Sequence, residues 1–246
     1  LVVISMDGFA ASYLNRHVTP AIDAFSSMGS RAEFIYPTFP SRTFVNHYAI
    51  ATGLWADSHG IVDNNIWDPS ISDRLEDMAK TQFDSFFRGE PIWSAFKRQT
   101  GKKTACLYWL GCTRNISGFM PDFNPPFNAD ATTMDRINTV LQWLAMPDRP
   151  ALIMAYVAEP DHSGHFQKTP EEVSAAVTDN DNAIARLMSG IEDLGLLDCV
   201  NVVLVSDHGM TLLKKYIYFA DSISVDGLVP VYGVVGRIYT NSTSLS

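Results

Sequence analysis

Short apolar runs alternate with longer amphipathic segments along the 246-residue sequence. Continuous apolar runs of this length are typical of parallel strands that are buried on both faces. We predict that the strands are 1–5, 32–36, 104–109, 151–157 and 199–206. We predict that the helices are 19–29, 46–54, 130–146 and 169–195. Strands that alternate with helices in this way predict an α/β fold, with helices covering both faces of a mostly parallel central sheet.

Capping residues mark the ends of two of the predicted helices. Thr19 stands directly before Pro20, and Pro is favoured at the first helical position because its missing N–H would have no partner there. Thr169 and Glu172 have the spacing of a capping box, in which each residue satisfies a backbone N–H of the other. We therefore expect helices that begin at Thr19 and Thr169, the second ending at Gly195.

Composition and charge limit the possible functions. The sequence is 46% hydrophobic and 18% charged, which is typical of one large α/β domain or two small ones. It opens inside an apolar run without Met, so we expect a fragment or a processed product. The formal net charge of −9 argues against a nucleic-acid-binding surface. No apolar run approaches the ~20 residues that span a bilayer, so a membrane contact would depend on segments not present here.

Cysteines and sequons say little about the fold but favour one location. Cys106, Cys112 and Cys199 are too few and too scattered to predict a disulfide framework or a zinc knuckle, and their pairing stays open. Sequons begin at Asn115 and Asn241, and such sites accept glycans in secreted proteins. They favour a location outside the cell.

Acidic residues and histidines follow three of the predicted strands. Asp7 follows the first strand, Asp161 and His165 follow 151–157, and Asp207 and His208 follow 199–206. A single Asp after a strand is more often a cap or turn residue. Together, however, these side chains converge if the strands are neighbours, because ligand sites lie beyond the carboxyl ends of parallel strands. Mixed Asp and His donors suit zinc or a similar first-row ion, and there are more of them than one tetrahedral ion needs, so we predict two ions.

The stretch PSRTFVNHY, residues 40–48, adds hydroxyl groups and an imidazole. Because it follows the predicted strand 32–36, we expect it at the same edge of the sheet. Thr43 or Ser41 can bind a metal ion there as an alkoxide, which removes the need for His47 as a general base. We expect His47 to make local hydrogen bonds instead.

The ordered motifs resemble those of the ectonucleotide pyrophosphatase/phosphodiesterase family, which belongs to the alkaline phosphatase superfamily. The resemblance extends from residue 2 to about residue 211. The motifs that carry it are MDGF (6–9), FPSRTFVNHY (39–48), TGLWADSHGIVDNN (52–65), GEPIW (89–93), EPDHSGH (159–165) and SDHGM (206–210). Six motifs in one order are far more specific than any of them alone.

The resemblance implies a nucleophile and two zinc ions. Thr43 occupies the position of the nucleophilic threonine. One zinc ion would be held by Asp7, Thr43, Asp207 and His208, and the second by Asp161, His165 and a further His. No His follows His208 in this sequence, so the resemblance implies that the second zinc site lacks its last ligand here.

The resemblance also implies the residues that contact the substrate. Asn64 takes the position that hydrogen-bonds the non-bridging phosphate oxygens. Phe44 and Phe127 resemble the aromatic pair that stacks a nucleobase, and Tyr156 matches a tyrosine of the substrate pocket. The implied fold is alkaline-phosphatase-like, and the implied organisation is a single catalytic domain over 1–246 that is incomplete at both ends.

The activity that the resemblance implies is hydrolysis of nucleotide phosphodiester or pyrophosphate bonds through a phospho-threonine, outside the cell or on its surface. Two alternatives stay open. The same rings can bind choline by cation–π contact, which would give a lysophospholipid or choline-phosphodiester hydrolase. A chain with an incomplete metal site can also be a binding module without catalysis. A sulfatase is disfavoured, because Thr38 stands where such an enzyme needs Cys or Ser.

Overall fold

A four-stranded parallel sheet forms the centre of the computed structural model, which describes residues 1–166 and 169–240. The strands, in chain order, are β1 (Val2–Met6), β2 (Asn65–Ile66), β3 (Glu76–Asp77), β4 (Thr104–Leu107), β5 (Leu152–Val157), β6 (Val202–Val205), β7 (Val229–Val231) and β8 (Arg237–Tyr239). The α-helices are α1 (Pro20–Ser27), α2 (Thr43–Thr52), α3 (Ala56–His59), α4 (Ile92–Thr100), α5 (Thr133–Ala145), α6 (Asp161–Gly164) and α7 (Ser174–Asp193).

The order of strands in the central sheet is β4-β5-β1-β6. All three pairings are parallel. In the register of β1, Val2 lies opposite Ile153 on one side and Val202 on the other. The strands β5, β1 and β6 are therefore neighbours whose carboxyl ends meet at one edge of the sheet.

Helices cover both faces of the sheet, as the sequence predicts. Ile4 packs in a core with α1, α5 and α7, through residues such as Leu187. The side chain of the preceding residue, Val3, points to the other face and packs with Trp93 of α4. This alternation follows from the two-residue period of a strand. Apolar side chains on both faces explain why the strands appear in the sequence as continuous apolar runs.

The predicted strand 32–36 is wrong. This segment is irregular and its large side chains face solvent, with Tyr36 83% exposed. High β-propensity makes a strand only when the backbone finds a partner, and in residues 1–166 and 169–240 no strand pairs with it. The stretch that carries Thr43 is therefore positioned by α2 rather than by the end of a strand.

Helix caps differ from those predicted. The side chains of Thr19 and Thr169 make no capping hydrogen bond, so the predicted capping box at Thr169 is wrong. Pro170–Val173 is a 3₁₀ turn before α7. The N-terminus of α1 is capped from a distance, because Asp181 of α7 accepts hydrogen bonds from the N–H groups of Ala21 and Ile22.

Smaller features complete the fold. Cys106 of β4 forms a disulfide with Cys112, and both are buried. Hydrogen bonds join β7 and β8 in an antiparallel pair, and Arg237 of β8 donates to the carbonyl of Asn65 at 3.0 Å.

No helix in the described residues is both long and apolar enough to cross a membrane. Asn115 is exposed, whereas the sequon at Asn241 lies outside the described residues.

Candidate metal centre and nucleophile

Three carboxylates meet at the edge of the sheet where β1, β5 and β6 end. Asp7 follows β1 directly, and its N–H continues the ladder by donating to Val157 of β5 at 2.9 Å. Asp161 opens α6 after β5, and its N–H donates to the carbonyl of Asp7 at 3.0 Å. Asp207 follows β6 and accepts from the N–H of Gly8 at 3.1 Å. The predicted convergence of these strand ends is therefore confirmed.

Two carboxylate oxygens in this cluster are buried and make no hydrogen bond in the described residues: Asp7 Oδ1 and Asp207 Oδ2. A buried polar atom without a partner costs about 1–3 kcal/mol, and more when it is charged. In the described part of the chain, no Lys or Arg forms an ion pair with Asp7, Asp161 or Asp207. The cluster thus lacks positive charge, which a metal ion would supply.

The distances around His208 fit a single tetrahedral ion. Its Nε2 lies 3.4 Å from Asp7 Oδ1, 3.2 Å from Asp207 Oδ2 and 3.3 Å from Thr43 Oγ1. Two ligands of a tetrahedral zinc ion, each bonded at ~2.0–2.1 Å, lie about 3.3 Å apart. Ligand atoms of Asp7, Asp207 and His208 all lie within 4.8 Å of one another. These residues therefore form a possible metal-binding group whose donor atoms have the spacing of a zinc site.

A hydrogen bond fixes the tautomer of His208. Its Nδ1 lies 2.9 Å from the carbonyl of Gly209, and a carbonyl only accepts, so Nδ1 carries the proton. In the neutral ring, Nε2 then has a free lone pair that points to the carboxylates and to Thr43. An imidazole oriented by a second partner is the usual arrangement of a metal-ligating histidine.

The carboxylates differ in their tendency to ionise. Burial raises the pKa of Asp7 well above its ordinary value, and the charges of Asp207 and Asp161 raise it further. Burial also raises the pKa of Asp161, although His165 and His208 oppose this. For Asp207, burial is outweighed by His47, His208 and the Gly8 N–H, so its pKa is lowered. Asp207 is thus the carboxylate that the protein itself stabilises as an anion.

Thr43 is the first residue of α2 and reaches the cluster from outside the sheet. Asn46, one turn later and buried, fixes the loop before it. Its Oδ1 accepts from the N–H of Thr38 at 2.7 Å, and its Nδ2 donates to the carbonyl of Arg42 at 3.0 Å. One buried amide therefore holds both ends of the turn that delivers the Thr43 hydroxyl.

His47 makes the local hydrogen bond that the sequence analysis predicts. It also makes a contact with Asp207 that the sequence does not predict. Its Nδ1 donates to the carbonyl of Thr43 at 2.7 Å. The same atom lies 3.3 Å from Asp207 Oδ2, a contact without hydrogen-bond geometry because the N–H points at Thr43. Nε2 lies 2.9 Å from Ser5 Oγ. His47 thus connects α2, the helix that begins at Thr43, to β1 and to Asp207.

Asn64 is held against the residue that follows Thr43. Its Oδ1 accepts from the N–H of Phe44 at 3.0 Å, so its Nδ2 is the group left to donate towards an anion. Its own N–H donates to Asp63, which also accepts from Arg42 at 2.9 Å. Arg237 forms a second ion pair with Asp63. The amide of Asn64 is therefore fixed against the backbone of Phe44, the residue after Thr43.

The second predicted metal site has a looser arrangement. His165 Nε2 lies 3.2 Å from Asp161 Oδ2, one helical turn along, and the His165 side chain is 68% exposed. These two side chains do not form a group of three potential ligands in the described residues. His165 thus faces solvent, whereas Asp161 is largely covered.

The predicted aromatic residues lie in two different surroundings. Phe44 is partly buried and packs with the cluster that contains Tyr48 and Ile61. Phe127 is 62% exposed and meets the ring of Tyr108 edge-on at 5.2 Å. The structure therefore places Phe44 and Phe127 in separate ring clusters.

Tyr156 touches the carboxylate cluster directly. Its hydroxyl donates to Asp7 Oδ2 at 2.7 Å. This bond orients the carboxylate, so that the other oxygen, Oδ1, is the one aimed at His208. Sequence reasoning placed Tyr156 in a substrate pocket but gave no sign of this bond, which depends on the register of β1 and β5.

We expect Tyr156→Phe to weaken the metal site. Loss of the hydroxyl leaves Asp7 Oδ2 without its donor, and such supporting hydrogen bonds change metal affinity or activity by about 10–100-fold. Zinc affinity measured by competition with a chromogenic chelator checks this. Tyr36→Phe, at a position 83% exposed, serves as the control. Equal zinc affinity of both variants and the wild type would contradict the role given to the Tyr156 hydroxyl.

Gly8 is required where β1 turns into the site. Its φ is +67°, and a Cβ there would lie 2.9 Å from the Cβ of Asp161. We expect Gly8→Ala to lower the free energy of unfolding by about 2–4 kcal/mol, because it adds a clash to the ~1–2 kcal/mol cost of a left-handed backbone. Gly195 is the matched control, with φ +65° and nothing within 4 Å. Urea unfolding that gives the same loss for Gly8→Ala and Gly195→Ala would refute the clash.

The sequence matches the family described as type I phosphodiesterase / nucleotide pyrophosphatase over residues 1–244. It is 46% identical, over its whole length, to an ectonucleotide pyrophosphatase/phosphodiesterase of Caenorhabditis elegans. It is 37% identical to human ectonucleotide pyrophosphatase/phosphodiesterase family member 1, over 96% of the chain. The chain spans only 30% of the worm relative and 26% of the human one.

A solved structure shows the same fold. Murine ectonucleotide pyrophosphatase/phosphodiesterase 5, in an inactive form in complex with AMP, superposes with a TM-score of 0.90 at 24% identity. The match covers 100% of this chain and 67% of the murine chain. The predicted α/β, alkaline-phosphatase-like fold is therefore confirmed.

Proposed function

The chain belongs to the type I phosphodiesterase / nucleotide pyrophosphatase family, and from this membership we propose that it hydrolyses nucleotide phosphodiester or pyrophosphate bonds with zinc and a threonine nucleophile. One observation carries the proposal. Thr43 Oγ1 and the unpaired oxygens of Asp7 and Asp207 all lie 3.2–3.4 Å from His208 Nε2. We also propose that residues 1–246 belong to one catalytic domain.

The chain's own residues suit one zinc ion well and a second in part. Asp7, Thr43, Asp207 and His208 would hold the first, and Asp161 with His165 would contribute to the second. When bound, zinc supplies the positive charge that favours the ionised form of the Thr43 hydroxyl and offsets the negative charge of the phosphate. The lowered pKa of Asp207 keeps a carboxylate available for this purpose at neutral pH.

The reaction proceeds in two displacements. The oxygen of Thr43 attacks phosphorus, its proton passes to solvent, and the bond from phosphorus to the leaving group breaks with the electron pair on that group. The product is a phosphodiester on Thr43. Water then attacks the same phosphorus and gives up a proton, and the bond to Thr43 breaks with its electron pair on the Thr43 oxygen. That oxygen takes up a proton to restore the hydroxyl, and the nucleotide leaves as a monophosphate. The turn fixed by Asn46 orients the hydroxyl for both steps.

Asn64 acts on the phosphate itself. Its Oδ1 is held by the N–H of Phe44, so its Nδ2 can donate to a non-bridging oxygen beside Thr43. A donor that is fixed in advance stabilises charge as it develops, and removing such a donor typically costs about 10²–10³-fold in rate.

Charge near the aromatic residues favours a nucleotide over choline. The guanidinium of Arg136 lies 5.8 Å from the ring centroid of Phe127 and 5.6 Å from that of Tyr156. A quaternary ammonium group at these rings would meet a like charge, whereas a neutral nucleobase would not. The names of the relatives, ectonucleotide pyrophosphatase/phosphodiesterases, support a nucleotide substrate as well.

A location outside the cell, or on its surface, agrees with two features of the chain. The disulfide between Cys106 and Cys112 is of a kind that persists in oxidising compartments. Asn115, which begins a sequon, is exposed, so a glycan can be attached there. The "ecto" in the relatives' names points the same way.

Two chromogenic esters with the same leaving group test the proposed substrate class. We expect kcat/KM for the p-nitrophenyl ester of thymidine monophosphate to exceed that for p-nitrophenylphosphorylcholine by at least about tenfold. Chelator should abolish both rates and zinc should restore them. The reverse preference would favour the choline-phosphodiester alternative. No turnover of either ester, with one zinc ion or none per chain, would favour a binding module.

A further inference from the structure

A buried arginine lies behind the aromatic residues beside the carboxylate cluster. Arg136, on α5, is only 3% exposed. Its guanidinium carbon lies 5.0 Å from the ring centroid of Tyr108, 5.8 Å from Phe127 and 5.6 Å from Tyr156. It forms no ion pair with a carboxylate in the described part of the chain. Three aromatic rings therefore lie within about 6 Å of this charge.

Two hydrogen bonds connect the guanidinium to both sides of these rings. Nε donates to the carbonyl of Ala131 at 3.1 Å, in the segment between Phe127 and α5. Nη1 donates to the carbonyl of Tyr156 at 3.1 Å, near the end of β5. One planar group thus ties the loop that carries Phe127 to the strand whose tyrosine hydroxyl binds Asp7.

The arrangement is costly for a residue with only a packing role. Burial lowers the pKa of Arg136, with partial compensation from Tyr156, Tyr108 and Glu159, yet a guanidinium stays charged in proteins. Burying a charge without an ionic partner is unfavourable. Tyr108 adds a second unfavourable feature, because its φ of 62° is left-handed and sparsely populated for a bulky residue. Such features persist where the surroundings hold a functional geometry.

We propose that Arg136 is the positioning residue of a nucleoside subsite formed by the rings of Tyr108, Phe127 and Tyr156. This inference rests on the proposed function, because it deepens the substrate assignment of the same site. The guanidinium fixes the three rings relative to one another, whereas the pairing of β5 with β1 holds the Tyr156 hydroxyl against Asp7. Arg136 thereby determines binding of the nucleoside part of the substrate, while the reacting phosphate depends on Thr43 and the metal ligands.

Two esters that differ only in the nucleoside test this inference in the full-length protein. They are the p-nitrophenyl ester of thymidine monophosphate and methyl p-nitrophenyl phosphate. For Arg136→Lys and Arg136→Met we expect KM for the thymidine ester to rise by about tenfold or more. We expect kcat/KM for the methyl ester, and the zinc content, to stay within about threefold of the wild type. Arg186→Lys, on the exposed face of α7, is the control and should change the kinetic constants for neither ester.

A second variant keeps the inference testable if the Arg136 variants do not fold. Phe127 is 62% exposed, so Phe127→Ala should fold, and it should show the same selective rise in KM. Combined with Arg136→Lys, it should give a smaller loss than the two single losses multiplied together, because Arg136 acts in part through the Phe127 ring. Equal losses on both esters, full additivity with Phe127→Ala, or no change at all would overturn the inference and leave the proposed function standing. A wild-type protein that hydrolyses neither ester would overturn both.

Discussion

Thr43→Ala is expected to lower kcat for the p-nitrophenyl ester of thymidine monophosphate by at least about 10³-fold, because removal of a nucleophile abolishes the covalent route. Zinc content should fall by less than the activity. Asp7, Asp207 and His208 still offer ligand atoms within 4.8 Å of one another, and only one of the four proposed ligands is lost. Steady-state kinetics together with metal analysis of the same preparation checks both statements.

Neighbouring hydroxyls provide the controls for this prediction. Thr43→Ser keeps the hydroxyl and should retain a measurable part of the activity. Ser41→Ala removes a hydroxyl from the same turn but one that the proposed reaction does not use, so its kcat should stay near that of the wild type. A Thr43→Ala protein with more than a tenth of the wild-type kcat would exclude Thr43 as the nucleophile.

Asp7→Asn and Asp207→Asn are expected to have the same effect on zinc but opposite effects on the stability of the zinc-free protein. Each removes one anionic ligand, and we expect zinc affinity to fall by at least about 100-fold. Loss of a residue that only hydrogen-bonds a metal ligand already costs about 10–100-fold. Hydrolysis should fall with it. In zinc-free protein at pH 7.5, Asp7→Asn should raise the melting temperature and Asp207→Asn should lower it.

The opposite signs follow from the two pKa shifts. The pKa of Asp7 is raised by burial and by Asp207 and Asp161, so its contribution to stability is present below its unfolded pKa and lost as the pH rises through the folded one. The pKa of Asp207 is lowered because His47, His208 and Gly8 outweigh burial. Its contribution is present above the unfolded pKa and lost as the pH falls through the folded value.

Thermal melts of the two variants in chelator at several pH values test these signs. The gain in Asp7→Asn over the wild type should grow as the pH rises above the ordinary carboxyl pKa of about 4, and the loss in Asp207→Asn should shrink as the pH falls. Loss of stability in both variants by the same amount would mean that the two carboxylates have equivalent surroundings, contrary to the contacts described above.

Most of the sheet and the positions of the proposed metal ligands could be predicted from the sequence. Parallel strands buried on both faces leave continuous apolar runs, and their carboxyl ends meet at one edge. That geometry brings Asp7, Asp161 and Asp207 together, because the strand ends rather than the loop conformations set their positions. The roles of Asn64, Phe44 and Phe127 came from the resemblance alone and stay predictions.

The errors have one physical origin, since each depends on contacts between residues distant in sequence. The segment 32–36 has strand composition but finds no partner strand among the described residues. Thr169 has the spacing of a capping box, yet its side chain makes no capping bond, whereas Thr132 forms such a box with Asp135. Local pattern indicates which partners are possible, and tertiary packing decides which of them form.

Contacts that tune the site were also invisible in the sequence. The distance from His47 to Asp207 and the bond from Tyr156 to Asp7 depend on how α2 lies on the sheet and on the register of β1 with β5. Arg136 gave no signal because a single arginine within a helical pattern normally indicates a solvated face.

Capture of a covalent intermediate on Thr43 tests the central claim most directly. Full-length protein with bound zinc is mixed with the p-nitrophenyl ester of thymidine monophosphate, quenched in acid during turnover, digested and examined by mass spectrometry. We predict that the peptide containing Thr43 carries a thymidine monophosphate group, and that this adduct is missing in Thr43→Ala. Rapid turnover with no adduct on any peptide would contradict a threonine nucleophile and point to direct attack by water.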